Sequence, residues 1–156
     1  MKKAIKKAYE IKARYSTPGK RVYNFLEDSY CVTNAEKCIV LTGTVGEQWV
    51  ITAEKLQKTY LLNGKPIVGD VAEIFAAEQI VTTKAGAELY YVEFLPVEQK
   101  MFVKTSWGEV LQANRDGVPH GDGDYIVYSS NKDGSPNLND RWVVNGLVFA
   151  KTYEFC

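Results

Sequence analysis

The segment VPHGDGDY brings an imidazole and two carboxylates together within five residues. His120, Asp122 and Asp124 are side chains of the types that general acid–base catalysis and metal binding use. His120 is the only histidine, so a metal site built from several imidazoles is excluded. Gly121 and Gly123 also fit a turn that leads into a strand, with Asp124 bonding the local backbone. We favour the turn, predict no metal and no cofactor, and keep a hydrolase or transferase that uses the three side chains as an alternative.

A second polar segment, NKDGSPNLND, follows the strand-like residues GDYIVYSS. Its alternating carboxylate and amide oxygens resemble a calcium loop, but the spacing and final glutamate of such loops are missing. We therefore predict a polar hairpin loop. Exposed strand aromatics can stack on planar ligands, and loop oxygens can bind them. The candidate ligand-binding residues are Tyr128, Asn131 and Asp133.

The beginning of the chain is strongly basic. Residues 1–21 hold eight Lys or Arg and one acid, whereas the remainder holds 11 bases and 18 acids. Apolar residues recur at helical spacing, which predicts a short amphipathic N-terminal helix that ends at STPGK. Its lysines could contact nucleic acid, or the segment could lie against the acidic remainder of the chain. The candidate nucleic-acid contacts are Lys2, Lys3, Lys6 and Lys7.

The residues from Val22 onward favour strands. RVYNFL, YCVT and KCIVLT are rich in aromatic and β-branched residues, as are the later segments KAGAELYYVEFLPV, KMFVKTSWGEVLQA and GDYIVYSS. Thr52 is the predicted N-cap of a helix over AEKLQKTYLL, and Asp70 that of a second helix over DVAEIFAAEQIV.

A near-repeat links the two halves of the chain. WVITAEKLQKTY, from Trp49, and WVVNGLVFAKTY, from Trp142, share five identities in twelve positions, and each follows an Ile-Val pair, at 39–40 and at 126–127. Each has a predicted cap, Thr52 or Asn145, before a short helix that ends in tyrosine. Two such β-β-α units can complete a core together. We predict one compact α+β domain over 1–156, with an internal repeat at 20–60 and 107–154 and a mainly antiparallel, strongly bent sheet or partial barrel.

The residues of GDGDYIVYSSNKDGSPNLNDRWVVNGLVFAKTYE resemble the PGDYG family of small bacterial and phage domains. The matching residues are Gly123, Asp124, Tyr125, Ile126, Val127, Trp142, Val143, Phe149 and Tyr153. The resemblance covers about residues 107–154, with a weaker copy at about 20–60. It implies a mostly β module from a bacterium or phage, and it implies no reaction, cofactor or catalytic residue.

Composition and cysteine usage indicate a cytoplasmic protein. The sequence has no apolar run that could cross a bilayer, and its three cysteines form no CxxC pair and no even set for disulfides. We expect reduced thiols. Because no catalytic set converges in the sequence, we predict a non-enzymatic module that binds a protein or a small molecule.

Overall fold

The computed structural model describes residues 1–84 and 88–156, which fall into two compact units. Unit 1 is Met1–Lys7 together with the described part of Ala85–Cys156, and unit 2 is Ala8–Lys84. Strands account for 48% of the residues and helices for 12%, and no sheet of the described residues closes on itself. The predicted α+β fold with a strongly bent sheet or partial barrel is therefore wrong. The protein is mostly β.

The predicted N-terminal helix is also wrong, because two strands replace it, β1 (Lys2–Lys6) and β2 (Glu10–Tyr15). In β2 the buried Ile11 and Ala13 alternate with exposed residues, which is the period of a strand. Ala4 of β1 is fully buried, with a paired strand on each side. Two ladders of backbone hydrogen bonds and the burial of apolar side chains outweigh the helix propensity of alanine and lysine.

Unit 2 is built around one antiparallel sheet. Its elements are β2, β3 (Arg21–Asn24), β4 (Ser29–Val32), β5 (Ile39–Thr42), β6 (Gln48–Ile51), α1 (Ala53–Thr59), β7 (Tyr60–Leu62), β8 (Lys65–Pro66), α2 (Val71–Ile74) and β9 (Gln79–Thr83). The sheet runs in the order β6, β5, β2, β9, β7, β8, and β3 pairs with β4 as a separate hairpin. The strands predicted between 22 and 42 are confirmed.

Both predicted N-caps of unit 2 are confirmed. Thr52 Oγ1 accepts a hydrogen bond from Lys55 N–H at 3.1 Å, and Asp70 Oδ1 accepts one from Ala72 N–H at 3.0 Å. The second helix is shorter than predicted, because Gln79 and the residues after it form β9. The core side chains Leu56 and Phe75, which follow these caps, are fully buried.

Unit 1 combines the start of the chain with its second half. Its elements are β1, β10 (Leu89–Pro96), β11 (Met101–Lys104), β12 (Val110–Ala113), β13 (Gly123–Ser130), β14 (Pro136–Val144), α3 (Gly146–Thr152) and β15 (Tyr153–Phe155). The sheet runs in the order β14, β13, β10, β1, β15. Of the predicted strand KAGAELYYVEFLPV, residues 85–87 lie outside the described residues, and β10 begins at Leu89.

Both faces of the unit 1 sheet are covered. On one face Phe149 and Tyr153, from α3 and its end, pack with Ala4, Val92 and Val127. On the other face the side chains of the β11–β12 hairpin pack against β10, β13 and β14. Residues of both strand faces are therefore buried, which removes the simple alternation of apolar and polar residues from β13.

The two units share one strand order. The strand order in unit 2 is β6, β5, β2, β9, β7, and the corresponding order in unit 1 is β14, β13, β10, β1, β15. Trp49 lies opposite Leu41, and Trp142 lies opposite Val127, so Leu41 and Val127 are counterparts. The Ile-Val pairs at 39–40 and 126–127, which look alike in the sequence, are therefore offset by one residue.

The strand position of Ala4 leads to a prediction. Ala4→Asp would place a carboxylate in the unit 1 core, whereas Ala8→Asp makes the same change at an exposed position. We expect Ala4→Asp to lower the free energy of unfolding by about 3 kcal/mol and Ala8→Asp to change it by less than about 0.5 kcal/mol. Urea unfolding followed by tryptophan fluorescence measures both. Equal stability of the two variants would contradict the buried strand.

Candidate functional site

An open pocket of about 740 Å³ lies in unit 1. Its walls come from the start of β1, from β10, from the turn before β13, and from α3 and β15. Three aromatic residues line it, Phe94, Tyr125 and Phe155, together with three charged residues, Lys2, Glu93 and Asp122. The pocket thus combines apolar surface with a few charged groups, as small-molecule and peptide sites do.

The turn before β13 needs its glycines. Gly121 and Gly123 have φ values of +65° and +151°, which side chains other than glycine rarely adopt. A Cβ on Gly123 would stand 1.9 Å from the Leu95 carbonyl oxygen, so the backbone of the turn passes directly against the end of β10. This close approach fixes the turn as one wall of the pocket.

The ring of His120 points into the protein. It is 7% exposed, its Nδ1 lies 2.7 Å from Asp124 Oδ1, and its Nε2 lies 2.6 Å from the Arg115 carbonyl oxygen. Asn145 Nδ2 also lies 3.3 Å from Nδ1, so each ring nitrogen has a polar partner inside the protein. Neither nitrogen is directed at a ligand in the pocket.

The Asp124 carboxylate, also buried, connects separate parts of unit 1. Besides the His120 ring, its Oδ1 accepts a hydrogen bond from Gly146 N–H at 3.0 Å. Its Oδ2 accepts one from Asn114 N–H at 2.8 Å, and Asp124 N–H donates to Asn114 Oδ1 at 2.9 Å. The carboxylate thus joins the 120–123 turn, the end of the β11–β12 hairpin and the first residue of α3.

Asn114, which is 1% exposed, was not identified from the sequence. Its Nδ2 donates to the carbonyl oxygens of Leu95, Pro96 and Gln99 at 3.2, 2.8 and 2.8 Å. Its backbone is left-handed, with φ of +53°, a conformation that asparagine tolerates better than most residues. An asparagine that follows a strand is the only local signal, and it does not reveal these distant partners.

The N-cap of α3 closes the same network. Asn145, predicted as a cap, accepts hydrogen bonds at Oδ1 from Leu147 N–H at 2.9 Å and from Val148 N–H at 3.4 Å. Its Nδ2 donates to the Pro119 carbonyl oxygen at 2.9 Å. A Cβ at Gly146 would meet the Gly123 carbonyl oxygen at 2.0 Å. The start of α3 is therefore held tightly against the turn.

Asp122 differs from the other two residues of the predicted catalytic group. It is exposed, whereas His120 and Asp124 are buried and paired with each other, and both Asp122 and His120 line the pocket. Burial and, secondly, the charge of Asp122 raise the pKa of the Tyr125 hydroxyl above its ordinary value. Asp122 therefore contributes negative charge at the aromatic wall.

The predicted ligand-binding residues lie away from this pocket. Tyr128 is buried, because the β11–β12 hairpin covers its face of the sheet. Asn131 and Asp133 lie in the turn between β13 and β14, where Asp133 Oδ1 accepts hydrogen bonds from the Ser135 N–H at 3.0 Å and hydroxyl at 2.6 Å. These bonds lower the pKa of Asp133. The loop oxygens thus bond the turn itself.

The four basic candidates are spread over β1 and the residue after it. The Nζ of Lys2 lies 5.2 Å from the ring centre of Phe155, and that of Lys6 lies 5.8 Å from the ring centre of Tyr153. Lys3 lies over Tyr91, at 6.0 Å, and Lys7 Nζ donates to the Ala150 carbonyl oxygen at 3.5 Å. Because successive strand residues point to opposite faces, Lys2 and Lys6 share one face and Lys3 lies on the other.

Comparison with family models, curated proteins and solved structures found no match. Among the described residues, no group of three or more His, Cys, Asp or Glu side chains is arranged to hold a metal ion. Across residues 1–84 and 88–156 no helix has the length and apolar character needed to cross a membrane. Cys31 and Cys156 are exposed free thiols, and Cys38 is a buried one.

The Asp124 network gives a second prediction. Asp124→Asn replaces one carboxylate oxygen with an NH₂ group, which faces an N–H donor in either orientation of the amide. We expect the free energy of unfolding to fall by about 3 kcal/mol, because a buried N–H group loses its acceptor and the hydrogen bond between the His120 ring and the carboxylate is weakened. Asp122→Asn, two residues away and exposed, should cost less than about 0.5 kcal/mol. Chemical denaturation measures both variants, and an unchanged midpoint for Asp124→Asn would show that the network does not hold the turn.

Proposed function

We propose that the protein is a non-enzymatic binding protein and that its ligand or partner occupies the unit 1 pocket. The observation that carries this proposal is an open pocket with aromatic walls. The imidazole and the carboxylate that could do chemistry beside it are engaged in buried structural bonds.

Catalysis by the 120–124 turn would require a base within hydrogen-bonding reach of a substrate. His120 has both nitrogens bonded inside the protein, and each oxygen of Asp124 accepts at least one N–H. The carboxylates of Asp122 and Glu93 line the pocket without the His120 imidazole as a hydrogen-bonded partner, because that ring bonds Asp124. This arrangement supports binding over hydrolysis or group transfer.

The walls of the pocket favour a partly apolar ligand. Phe94 and Phe155 are 44% and 47% exposed, so burying their rings under a ligand is favourable. Tyr125 stacks on Phe149 with ring centres 3.8 Å apart, and this contact holds the Tyr125 ring in place in the pocket wall. Lys2 and Asp122 at the rim can orient the polar groups of a ligand.

We also propose that unit 1 is a PGDYG-like domain from a bacterium or phage, and that the protein is cytoplasmic. Two of the residues that resemble the PGDYG family, Gly123 and Tyr125, line the pocket. Free thiols at all three cysteines support a reducing compartment. The dispersal of the four lysines over β1 gives nucleic-acid binding no specific support, so we propose no second function.

The proposal is tested with a library of small aromatic fragments, followed by ligand-observed NMR. We expect several fragments to bind the wild-type protein, and Ala150→Trp to abolish this binding, because Ala150 is exposed on α3 and lines the pocket. Ala77→Trp makes the same change at an exposed position in unit 2 and should leave binding unchanged. Absence of binding, or binding that Ala150→Trp leaves intact, would refute the pocket as the functional site.

A further inference from the structure

We propose that the unit 1 pocket receives a short helical turn of a partner protein, with an aromatic side chain at the end of that turn. This inference rests on the proposed function and specifies its ligand. In unit 2 a segment of the chain itself occupies the place that corresponds to this pocket.

The correspondence follows from the register of the two sheets. In each unit one row of directly paired residues crosses four neighbouring strands. In unit 1 the row is Trp142, Val127, Val92 and Lys2. In unit 2 the corresponding residues, in the same order, are Trp49, Leu41, Ala13 and Gln79. Lys2 of the pocket wall is therefore the counterpart of Gln79. Phe94, two residues after Val92, is the counterpart of Tyr15, two residues after Ala13.

In unit 2 the residues at these positions bind the end of α2. Tyr15 N–H donates to the Phe75 carbonyl oxygen at 2.8 Å, and Gln79 Nε2 donates to the Ile74 carbonyl oxygen. The Phe75 side chain is fully buried in the unit 2 core, and Val71 and Ile74 pack against the same core. A helical turn that ends in phenylalanine thus covers this end of the unit 2 sheet.

Unit 1 contains no counterpart of residues 63–78 among its described residues. The pocket lies beside the counterparts of Tyr15 and Gln79, and its wall residues Phe94 and Phe155 remain about half exposed. An apolar helical turn from a partner would cover these rings as α2 and Phe75 cover unit 2. Recognition of a short helix in an apolar groove is a common mode of peptide binding.

Lys2 in unit 1 occupies the position of Gln79 in unit 2, and this difference in side chain indicates the direction of the bound segment. In unit 2 the amide of Gln79 donates to a carbonyl oxygen in the last turn of α2. Lysine supplies a charged donor at the same place, and lysine side chains bond the last carbonyl oxygens of helices. The partner segment therefore lies with its C-terminal carbonyl groups toward Lys2 and its aromatic side chain in the pocket.

The test uses a peptide with the sequence of residues 69–78, GDVAEIFAAE, blocked at both ends, and a matched peptide with alanine in place of its phenylalanine. Each is titrated into the full-length protein, with binding followed by the backbone amide shifts of Gly121 and Gly146. We expect saturable shifts with the first peptide and a Kd about tenfold or more higher with the second, because a buried aromatic anchor dominates such interfaces.

Two variants locate the binding. Ala150→Trp should abolish it, and Lys2→Glu should weaken it severalfold, whereas Lys132→Glu, an exposed lysine in the β13–β14 turn, should leave it unchanged. Equal binding of the two peptides, or no effect of Ala150→Trp, overturns the inference. If neither peptide binds while aromatic fragments still do, the inference fails and the proposed function stands. If fragments also fail to bind, both fail.

Discussion

The carboxylate of Asp124 joins three parts of unit 1 that are distant in sequence. It binds the His120 ring, the backbone of Asn114 and the first amide of α3, and the side chains of Asp124, His120 and Asn114 are buried. Such a network is stable only when all its members are bonded, because an unpaired buried polar group costs free energy. The turn, the hairpin and the helix are therefore fixed together, and the turn and the helix are held in place as walls of the pocket.

Unit 2 reaches the same strand order with different chemistry. After its hairpin, Thr33 Oγ1 donates to the Thr17 carbonyl oxygen at 2.8 Å, just as Asn114 Nδ2 donates to Pro96 after the unit 1 hairpin. No histidine or aspartate is buried among the described residues of unit 2. Its core is completed by the apolar side chains of α2 and by Phe75. One unit is thus closed by its own segment and the other has an open pocket.

Local sequence patterns predicted the caps and most of the strands, because those signals lie within a few residues. Thr52, Asp70 and Asn145 each bond an amide two or three residues away. The N-terminal helix was mispredicted because alanine and lysine favour helices, whereas partner strands elsewhere in the chain, more than 80 residues away for β1, impose the strands. The pocket combines residues from both ends of this sequence, and Asn114 bonds residues 10 to 19 positions away; a single sequence does not reveal these partners.

The placement of β1 has a consequence for biosynthesis. Unit 2 is one continuous stretch, Ala8–Lys84, and can fold as soon as that stretch has left the ribosome. β1 emerges earlier, yet its two neighbours, β10 and β15, are made much later, and β15 is among the last residues of this sequence. β1 is therefore made well before both of its partner strands. Until then it is an unpaired strand with lysines on both faces, and these like charges discourage pairing with other nascent chains.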